Sequence, residues 1–212
     1  MNGGDLNIKT YQGSTYTKSS SQGGNPGQGG NPGQGGWTFP GGGGGGWSFP
    51  GFDSGHDLEL KFSCKGVKAG SSESNILGDI TMNCGNIVID STDDALHCGV
   101  TFNVNGGILV ATGGLGRGEL PEQTSKQNSL YWGNSKSSYS KGCVVTLKDA
   151  SGKVMLTYTT EQVLKCVVVS TPEIATGGIY SIELNGSKVA DFTVTSALMT
   201  QGDKGNGGGF SW

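Results

Sequence analysis

Four aspartates form the clearest candidate for a metal site in this sequence. Asp90, Asp93 and Asp94 fall within five residues on a predicted turn, and His97 follows closely. Clustered carboxylates suit Ca²⁺, which takes about six to eight oxygen ligands. We expect Asp79, backbone carbonyl groups and water to complete the shell. The alternative is that these side chains cap the turn by accepting hydrogen bonds from its backbone amides.

Basic side chains near this acidic turn could supply the base of a polysaccharide lyase. Lys65 and Lys68 are predicted to lie one strand away from the turn, and Arg117 is a third candidate. A lyase needs such a base beside a metal ion. The simpler interpretation is a surface ion pair with Asp94 or His97. We therefore expect no enzymatic activity and assign both lysines to ligand binding.

His97 is also assigned to the ligand-binding surface, with a stacked and hydrogen-bonded structural role as the alternative. Six aromatic residues are the candidates for stacking on sugar rings, namely Tyr131, Trp132, Trp37, Phe39, Trp47 and Phe49. The last four belong to two Trp-Thr/Ser-Phe-Pro repeats in a glycine-rich segment. The alternative for Tyr131 and Trp132 is core packing. For the other four it is a loose loop or docking on the flank of the fold.

The strands that must position these residues are predicted from an internal repeat. The pattern of Ile80–Ile89 recurs 22 residues later in Phe102–Ala111. A period of this length indicates a solenoid, and its alternating apolar residues indicate β-strands with one face toward a core. Asn2–Ile8 repeats the turn and strand of Asn105–Val110, so the chain is expected to begin inside a coil. An open first coil exposes strand edges through which the protein could self-associate.

The composition changes along the chain predict five segments. They are an incomplete first β-helix coil in 1–9, a Gly/Pro/Gln-rich insertion in 10–56, β-helix coils in 57–135, an antiparallel β cap in 136–200 and a Gly-rich tail in 201–212. Hairpin signals at Asp149–Gly152 and Asn185–Gly186 support the cap, which is expected to include a strand within 162–170. We therefore predict an all-β fold, a right-handed parallel β-helix followed by a small antiparallel β cap or sandwich, with a Gly-rich insertion.

The bulk composition excludes several classes of partner. A net charge of −3 and a pI of about 5.3 give no electrostatic basis for binding nucleic acid or an anionic membrane. No apolar run reaches the ~18 residues of a membrane span, and no signal peptide is recognised at the start of the sequence.

The five cysteines contain no CxxC pair, which argues against zinc. Their odd number leaves at least one without an intrachain partner. Free buried thiols and a disulfide between Cys143 and Cys166 both remain open.

Three stretches together resemble a known family. Lys65–Gly70, Gly78–Asn83 and Ile87–His97 look like the bacterial carbohydrate-binding domain-containing proteins of the β-helical, cellulose- and pectin-binding type. The resemblance implies an architecture similar to that of pectate lyases, calcium bound by acidic corner residues, and a location outside the cell or on its surface. Compared with that family, the chain is expected to be short on its N-terminal side.

The function expected from the residues and the resemblance is non-catalytic binding of an extracellular, cellulose- or pectin-like polysaccharide by a calcium-stabilised β-helix. One alternative is a structural subunit of an extracellular filament, assembled by coil stacking or strand exchange. A second alternative is a polysaccharide lyase.

Overall fold

Strands make up all the regular structure of the residues that the computed structural model describes, which are 2–10, 16–17, 59–60, 66–69, 78–115 and 119–204. The prediction of an all-β protein is confirmed for these residues. None of them lies in a helix that could span a membrane. Of the predicted insertion in 10–56, only residues 10, 16 and 17 are described.

The chain divides into two units, one formed by Met1–Gly13 with Phe62–Trp212 and the other by Ser14–Lys61. The described strands are β1 (Asn2–Lys9), β2 (Tyr16–Thr17), β3 (Glu59–Leu60), β4 (Val67–Ala69), β5 (Ile80–Met82), β6 (Cys84–Asp90), β7 (Leu96–Cys98), β8 (Phe102–Val104), β9 (Ile108–Gly113), β10 (Ser129–Gly133), β11 (Val144–Asp149), β12 (Val154–Thr159), β13 (Cys166–Ser170), β14 (Ile179–Leu184), β15 (Ser187–Thr193) and β16 (Leu198–Gly202). In the smaller unit, β2 and β3 form an antiparallel pair.

In the larger unit, the strands that carry the sequence repeat pair in parallel. Strands β5 and β8 pair with Ile80 beside Phe102, and β6 and β9 pair with the same offset of 22 residues. Strand β4 pairs with β7 at an offset of 29, with Lys68 beside His97, and β1 pairs with β6, with Leu6 beside Ile87. We call these paired strands the parallel rows. The offset in β5–β8 and β6–β9 matches the period found in the sequence.

Of the parallel rows, β1, β6 and β9 belong to a mixed sheet of six strands in the order β1-β6-β9-β13-β10-β16, whereas β4–β7 and β5–β8 are separate two-stranded sheets. Strand β13 is antiparallel to β9 and β10, and β16 is parallel to β10. A separate antiparallel sheet has the order β12-β11-β14-β15. Both predicted hairpins are present in it, and Asn185 and Gly186 have φ angles of 51° and 77°, as a tight two-residue turn requires.

Strands β10 and β13 separate two hydrophobic cores, and we call them the shared wall. Their side chains toward the antiparallel sheet are Leu130, Trp132, Val167 and Val169, and those toward the parallel rows are Tyr131 and Val168. Successive side chains of a strand point to opposite faces. Each strand of the shared wall therefore contributes to both cores at once.

The position of β13 differs from the sequence prediction, which placed a strand within 162–170 in the antiparallel cap. The structure instead inserts Cys166–Ser170 into the six-stranded sheet. The reason is that Val167, Val168 and Val169 form a continuous apolar run, and all three are buried. Such a run needs an apolar environment on both faces, which the edge of a small cap does not provide.

We expect Leu130→Ala to lower the free energy of unfolding by about 2–5 kcal/mol, because Leu130 is fully buried in the shared wall. The matched control is Val154→Ala, since Val154 is 50% exposed and its truncation should cost less than about 0.5 kcal/mol. Urea unfolding followed by far-UV circular dichroism measures both. The shared wall also requires a single transition, so two separated transitions contradict it.

Candidate functional site

Asp90 is the buried centre of the predicted acidic turn. It ends β6, and only 1% of its surface is exposed. Its carboxylate accepts hydrogen bonds from the Thr112 hydroxyl at 3.0 Å, from the Tyr158 hydroxyl at 3.0 Å and from the backbone N–H of Glu161. Burying a carboxylate costs several kcal/mol unless donors replace its water. Three donors from two neighbouring segments fulfil that requirement.

These hydrogen bonds tie the parallel rows to the antiparallel sheet. Tyr158 belongs to β12 and is 68 residues from Asp90 in the sequence. Burial, reinforced by the charge of Asp90 and the hydrogen bond to it, raises the pKa of Tyr158 well above its usual range. The hydroxyl therefore stays protonated and remains a donor. The ion pair between Lys9 and Glu161 joins β1 to the same region.

The other predicted calcium ligands take part in different contacts. The Asp79 carboxylate accepts hydrogen bonds from the backbone N–H and the hydroxyl of Thr101, at 3.1 and 2.9 Å. Asp94 is buried, and its backbone carbonyl accepts the N–H of Gly66 at 3.1 Å. The backbone N–H of Asp93 donates to the Ser91 hydroxyl at 3.3 Å. Ser91 therefore caps the acidic turn as the alternative describes, whereas Asp79 binds Thr101 outside the turn.

Within the described ranges, no group of three or more His, Cys, Asp or Glu side chains is arranged to hold a metal ion. Asp90 already uses its carboxylate for three donors, and Asp79 uses one oxygen for two. The geometry therefore lends no support to calcium at this turn, and the calcium site stays a prediction.

His97 lies on the outer face of β7 between two charged residues. Lys68 in β4 lies beside His97 in the strand register. The Nδ1 atom of His97 is 3.2 Å from Oε2 of Glu119. These two atoms are close but not aligned as a hydrogen bond. The Glu119 carboxylate also accepts the N–H of Cys98 at 3.2 Å. This arrangement suits the structural role weighed for His97. Lys65 and Arg117 lie outside the described residues.

The aromatic residues of the shared wall are not available for stacking on sugars. Tyr131 is 3% exposed and Trp132 is 6% exposed. The Tyr131 hydroxyl donates to the backbone carbonyl of Asp203 at 2.6 Å, and Trp132 makes an edge contact with Tyr139. Their assignment to ligand binding is corrected to core packing, because they point into the two cores of the shared wall. Trp37, Phe39, Trp47 and Phe49 lie outside the described residues.

The cysteines of the described residues are free. Cys98 and Cys143 are buried, Cys166 is partly buried and Cys84 is exposed, so of the two open alternatives the structure has free thiols and not a disulfide between Cys143 and Cys166. The reason is that Cys143 belongs to the core of the antiparallel sheet, whereas Cys166 packs against the core of the parallel rows. The Cys166 thiol donates instead to the backbone carbonyl of Gly114 at 3.2 Å. Cys64 lies outside the described residues.

A polar surface lies on the outer side of β5 and β8, and apart from Asp79 its residues were not predicted from the sequence. We call it the polar ladder, and it consists of Asp79, Thr81, Asn83, Thr101, Asn103, Asn105, Thr124 and Lys126. All of these side chains are exposed or partly exposed. The apolar residues between them, such as Met82 and Phe102, are buried. Alternation along the strands therefore directs the polar side chains outward.

Hydrogen bonds between rows hold the polar ladder together. The Asn105 side-chain amide donates to the Asn83 amide oxygen at 3.0 Å, and the Thr124 hydroxyl donates to Asn103 at 2.8 Å. The backbone N–H of Lys126 donates to the Asn105 oxygen at 3.2 Å. The sequence signal was the Thr and Asn residues between the apolar positions of the repeat. It was passed over because polar residues at outward positions are common.

Comparison of the chain with protein-family models, with curated proteins and with solved structures found no match.

We expect Asp90→Asn to lower the free energy of unfolding by about 1–3 kcal/mol, because the amide presents an N–H₂ group to at least one of the three donors. The loss should be the same in millimolar calcium and in excess chelator, since the account assigns Asp90 to hydrogen bonds. Urea unfolding under both conditions measures it. A loss that appears only when calcium is present contradicts this role and supports the calcium prediction.

We also expect stability to fall in alkaline solution. Burial, followed by the charge of Glu119, raises the pKa of the Cys98 thiol to about 11, and burial with the charge of Asp94 raises that of Cys166 to about 12. A raised pKa means that the folded state holds its proton more tightly than the unfolded state. The free energy of unfolding is therefore at its full value below pH 9, the ordinary pKa of a thiol, and declines as the pH rises toward 11 and 12.

Urea unfolding between pH 8 and about 11 in the presence of reductant measures this decline. Cys98→Ala should make the decline shallower, and the control Cys84→Ala should not, because Cys84 is exposed. An equal slope in both variants contradicts the assignment to the buried thiol.

Proposed function

We propose that this protein binds an extended polysaccharide of the cellulose or pectin type along the polar ladder, without cleaving it. The observation that carries the proposal is an exposed array of amide, hydroxyl, carboxylate and ammonium groups, repeated at an offset of 21 or 22 residues. Adjacent rows are about 4.8 Å apart. Such an array offers donors and acceptors at regular intervals to a chain of hydroxyl-bearing rings.

The hydrogen bonds within the polar ladder support this proposal energetically. When a ligand must order a flexible side chain, the free energy of binding becomes less favourable by about 0.5–1.5 kcal/mol. The contacts between Asn83 and Asn105, and between Asn103 and Thr124, order these side chains before any ligand arrives. The array therefore loses less conformational entropy on binding than separate surface side chains do.

The proposal includes a finer description of the fold. We propose that the parallel rows are coils of a right-handed parallel β-helix. The support is the constant offset of 22 residues in β5–β8 and in β6–β9, which stacks equivalent positions in straight columns. The location outside the cell and the calcium ion are supported by the resemblance of the sequence motifs alone.

The double variant Thr81→Ala/Asn83→Ala tests the site, because both side chains are exposed, Thr81 in β5 and Asn83 directly after it. We expect it to weaken binding to cellulose, pectin or xylan oligosaccharides about tenfold or more, as the loss of two or more hydrogen bonds predicts. Isothermal titration calorimetry measures affinity, and a pull-down on the insoluble polymers gives a second readout.

The matched control is Thr157→Ala/Thr159→Ala, which removes two exposed polar side chains from β12 in the antiparallel sheet. It should bind as the unaltered protein does. Absence of binding by the unaltered protein to all three polymers contradicts the function. Equal binding by both double variants contradicts the site.

A further inference from the structure

Two exposed carboxylates lie at one end of the polar ladder. Asp79, in the first row, accepts hydrogen bonds from the N–H and the hydroxyl of Thr101 in the second row. Glu122 lies on the other side of the second row, because its backbone N–H donates to the carbonyl of Phe102 at 2.7 Å. The side chains of both acidic residues are exposed. The two carboxylates therefore flank the second row from both sides.

A third carboxylate, that of Glu119, is close to the same end. It accepts the backbone N–H of Cys98 at 3.2 Å. Burial, followed by the charges of Glu119, Asp79 and Glu122, raises the pKa of the Cys98 thiol to about 11. All three carboxylates are thus near enough to one thiol to act on it together. We call Asp79, Glu119 and Glu122 the acidic border.

The opposite end of the polar ladder carries an ammonium group. Lys126 is exposed, and its backbone N–H donates to the Asn105 side chain, which is itself bonded to Asn83. Asp79 and Asn83 are four residues apart in the sequence, which corresponds to about 13 Å along an extended strand. Salt at physiological strength screens exposed charges beyond about 8 Å. The charge of Lys126 therefore does little to offset the acidic border.

The other charged groups near the acidic border do not neutralise it. Lys68 lies beside His97 in the separate sheet β4–β7, and His97 is 3.2 Å from Glu119. With one lysine against three carboxylates, the described residues leave this end of the polar ladder negative at pH 7. The net charge of the whole chain, −3, has the same sign.

We propose that the polar ladder selects neutral polysaccharides, such as glucans and xylans, over polyuronates. This inference rests on the proposed function and narrows it from the cellulose or pectin type to the uncharged type. Glu122 is the specificity-determining residue, because its exposed carboxylate repels a negatively charged ligand without being tied to the neighbouring row as that of Asp79 is.

The chemistry of the two ligand classes explains the selection. A polyuronate has a carboxylate on every ring, and these groups are ionised at neutral pH as the side chains of Asp and Glu are. The rows of the polar ladder are about 4.8 Å apart, so a chain lying across them brings its carboxylates within a Debye length of the acidic border. Like charges placed together at an interface disfavour the wrong partner.

A neutral glycan meets the same groups without repulsion. Its hydroxyl groups both donate and accept, so they can bond to the amides and hydroxyls of the polar ladder. An ionised carboxylate is an acceptor with two oxygens, and a sugar hydroxyl is a suitable donor to it. The acidic border therefore adds acceptors for an uncharged chain and an electrostatic penalty for a charged one.

Isothermal titration calorimetry with cello-, xylo- and galacturonate oligosaccharides of equal length tests the selection. Excess chelator is present throughout, because a divalent cation can bridge two carboxylates and hide their repulsion. At low salt we expect a neutral oligosaccharide to bind about tenfold or more tightly than oligogalacturonate. Raising the salt from about 0.02 to about 0.5 M should narrow that ratio, since salt screens the repulsion.

Glu122→Gln tests the residue that carries the repulsion. We expect it to lower the ratio of neutral to uronate affinity about threefold or more, because it removes one charge next to the ligand. The matched control is Asp191→Asn, which changes the net charge equally but removes an exposed carboxylate from β15 in the antiparallel sheet. The control should leave the ratio as it is in the unaltered protein.

The outcomes separate this inference from the proposed function. Oligogalacturonate that binds as tightly as the neutral oligosaccharides, or more tightly, overturns the selection while polysaccharide binding itself stands. Equal changes of the ratio in both variants assign the discrimination to net charge and overturn the role of Glu122. Failure of all three oligosaccharides to bind contradicts the proposed function, and the inference with it.

Discussion

The larger unit depends on two strands that belong to two cores. Strands β10 and β13 present Leu130 and Val167 to the antiparallel sheet and Tyr131 and Val168 to the parallel rows. Both cores are therefore covered on one side by the same two strands, because alternate side chains of β10 and β13 point to opposite faces. Neither core keeps its full set of contacts without the other.

Asp90 extends this dependence to polar groups. A buried carboxylate is costly alone, yet here donors from Thr112, Tyr158 and Glu161 surround it. Two of these three donors come from the segment around β12, so the cost is offset only when the antiparallel sheet is in place. The rows and the sheet thus specify each other twice, through apolar packing and through this carboxylate.

Local pattern was sufficient to predict part of this structure. The alternation and the 22-residue repeat predicted parallel pairing in β5–β8 and β6–β9, and Asn185–Gly186 predicted a hairpin. The role of Asp90 was beyond such patterns, because Tyr158 is 68 residues away. Tyr131 and Trp132 were assigned to a surface for the same reason: their burial follows from β13 leaving the cap for the six-stranded sheet. The polar ladder was visible only once pairing had placed its residues in columns.

Rigidity is what links this architecture to the proposed function. The core of the parallel rows packs behind β5 and β8 through Met82, Phe102 and Val104. Hydrogen bonds across the polar ladder hold Asn83, Asn103 and Asn105 in place. The most direct test is an amide NMR titration with a soluble oligosaccharide that the protein binds. The account predicts that chemical-shift changes concentrate at Thr81, Asn83, Asn103 and Asn105. Changes confined to β11–β15, or spread evenly over the protein, would contradict it.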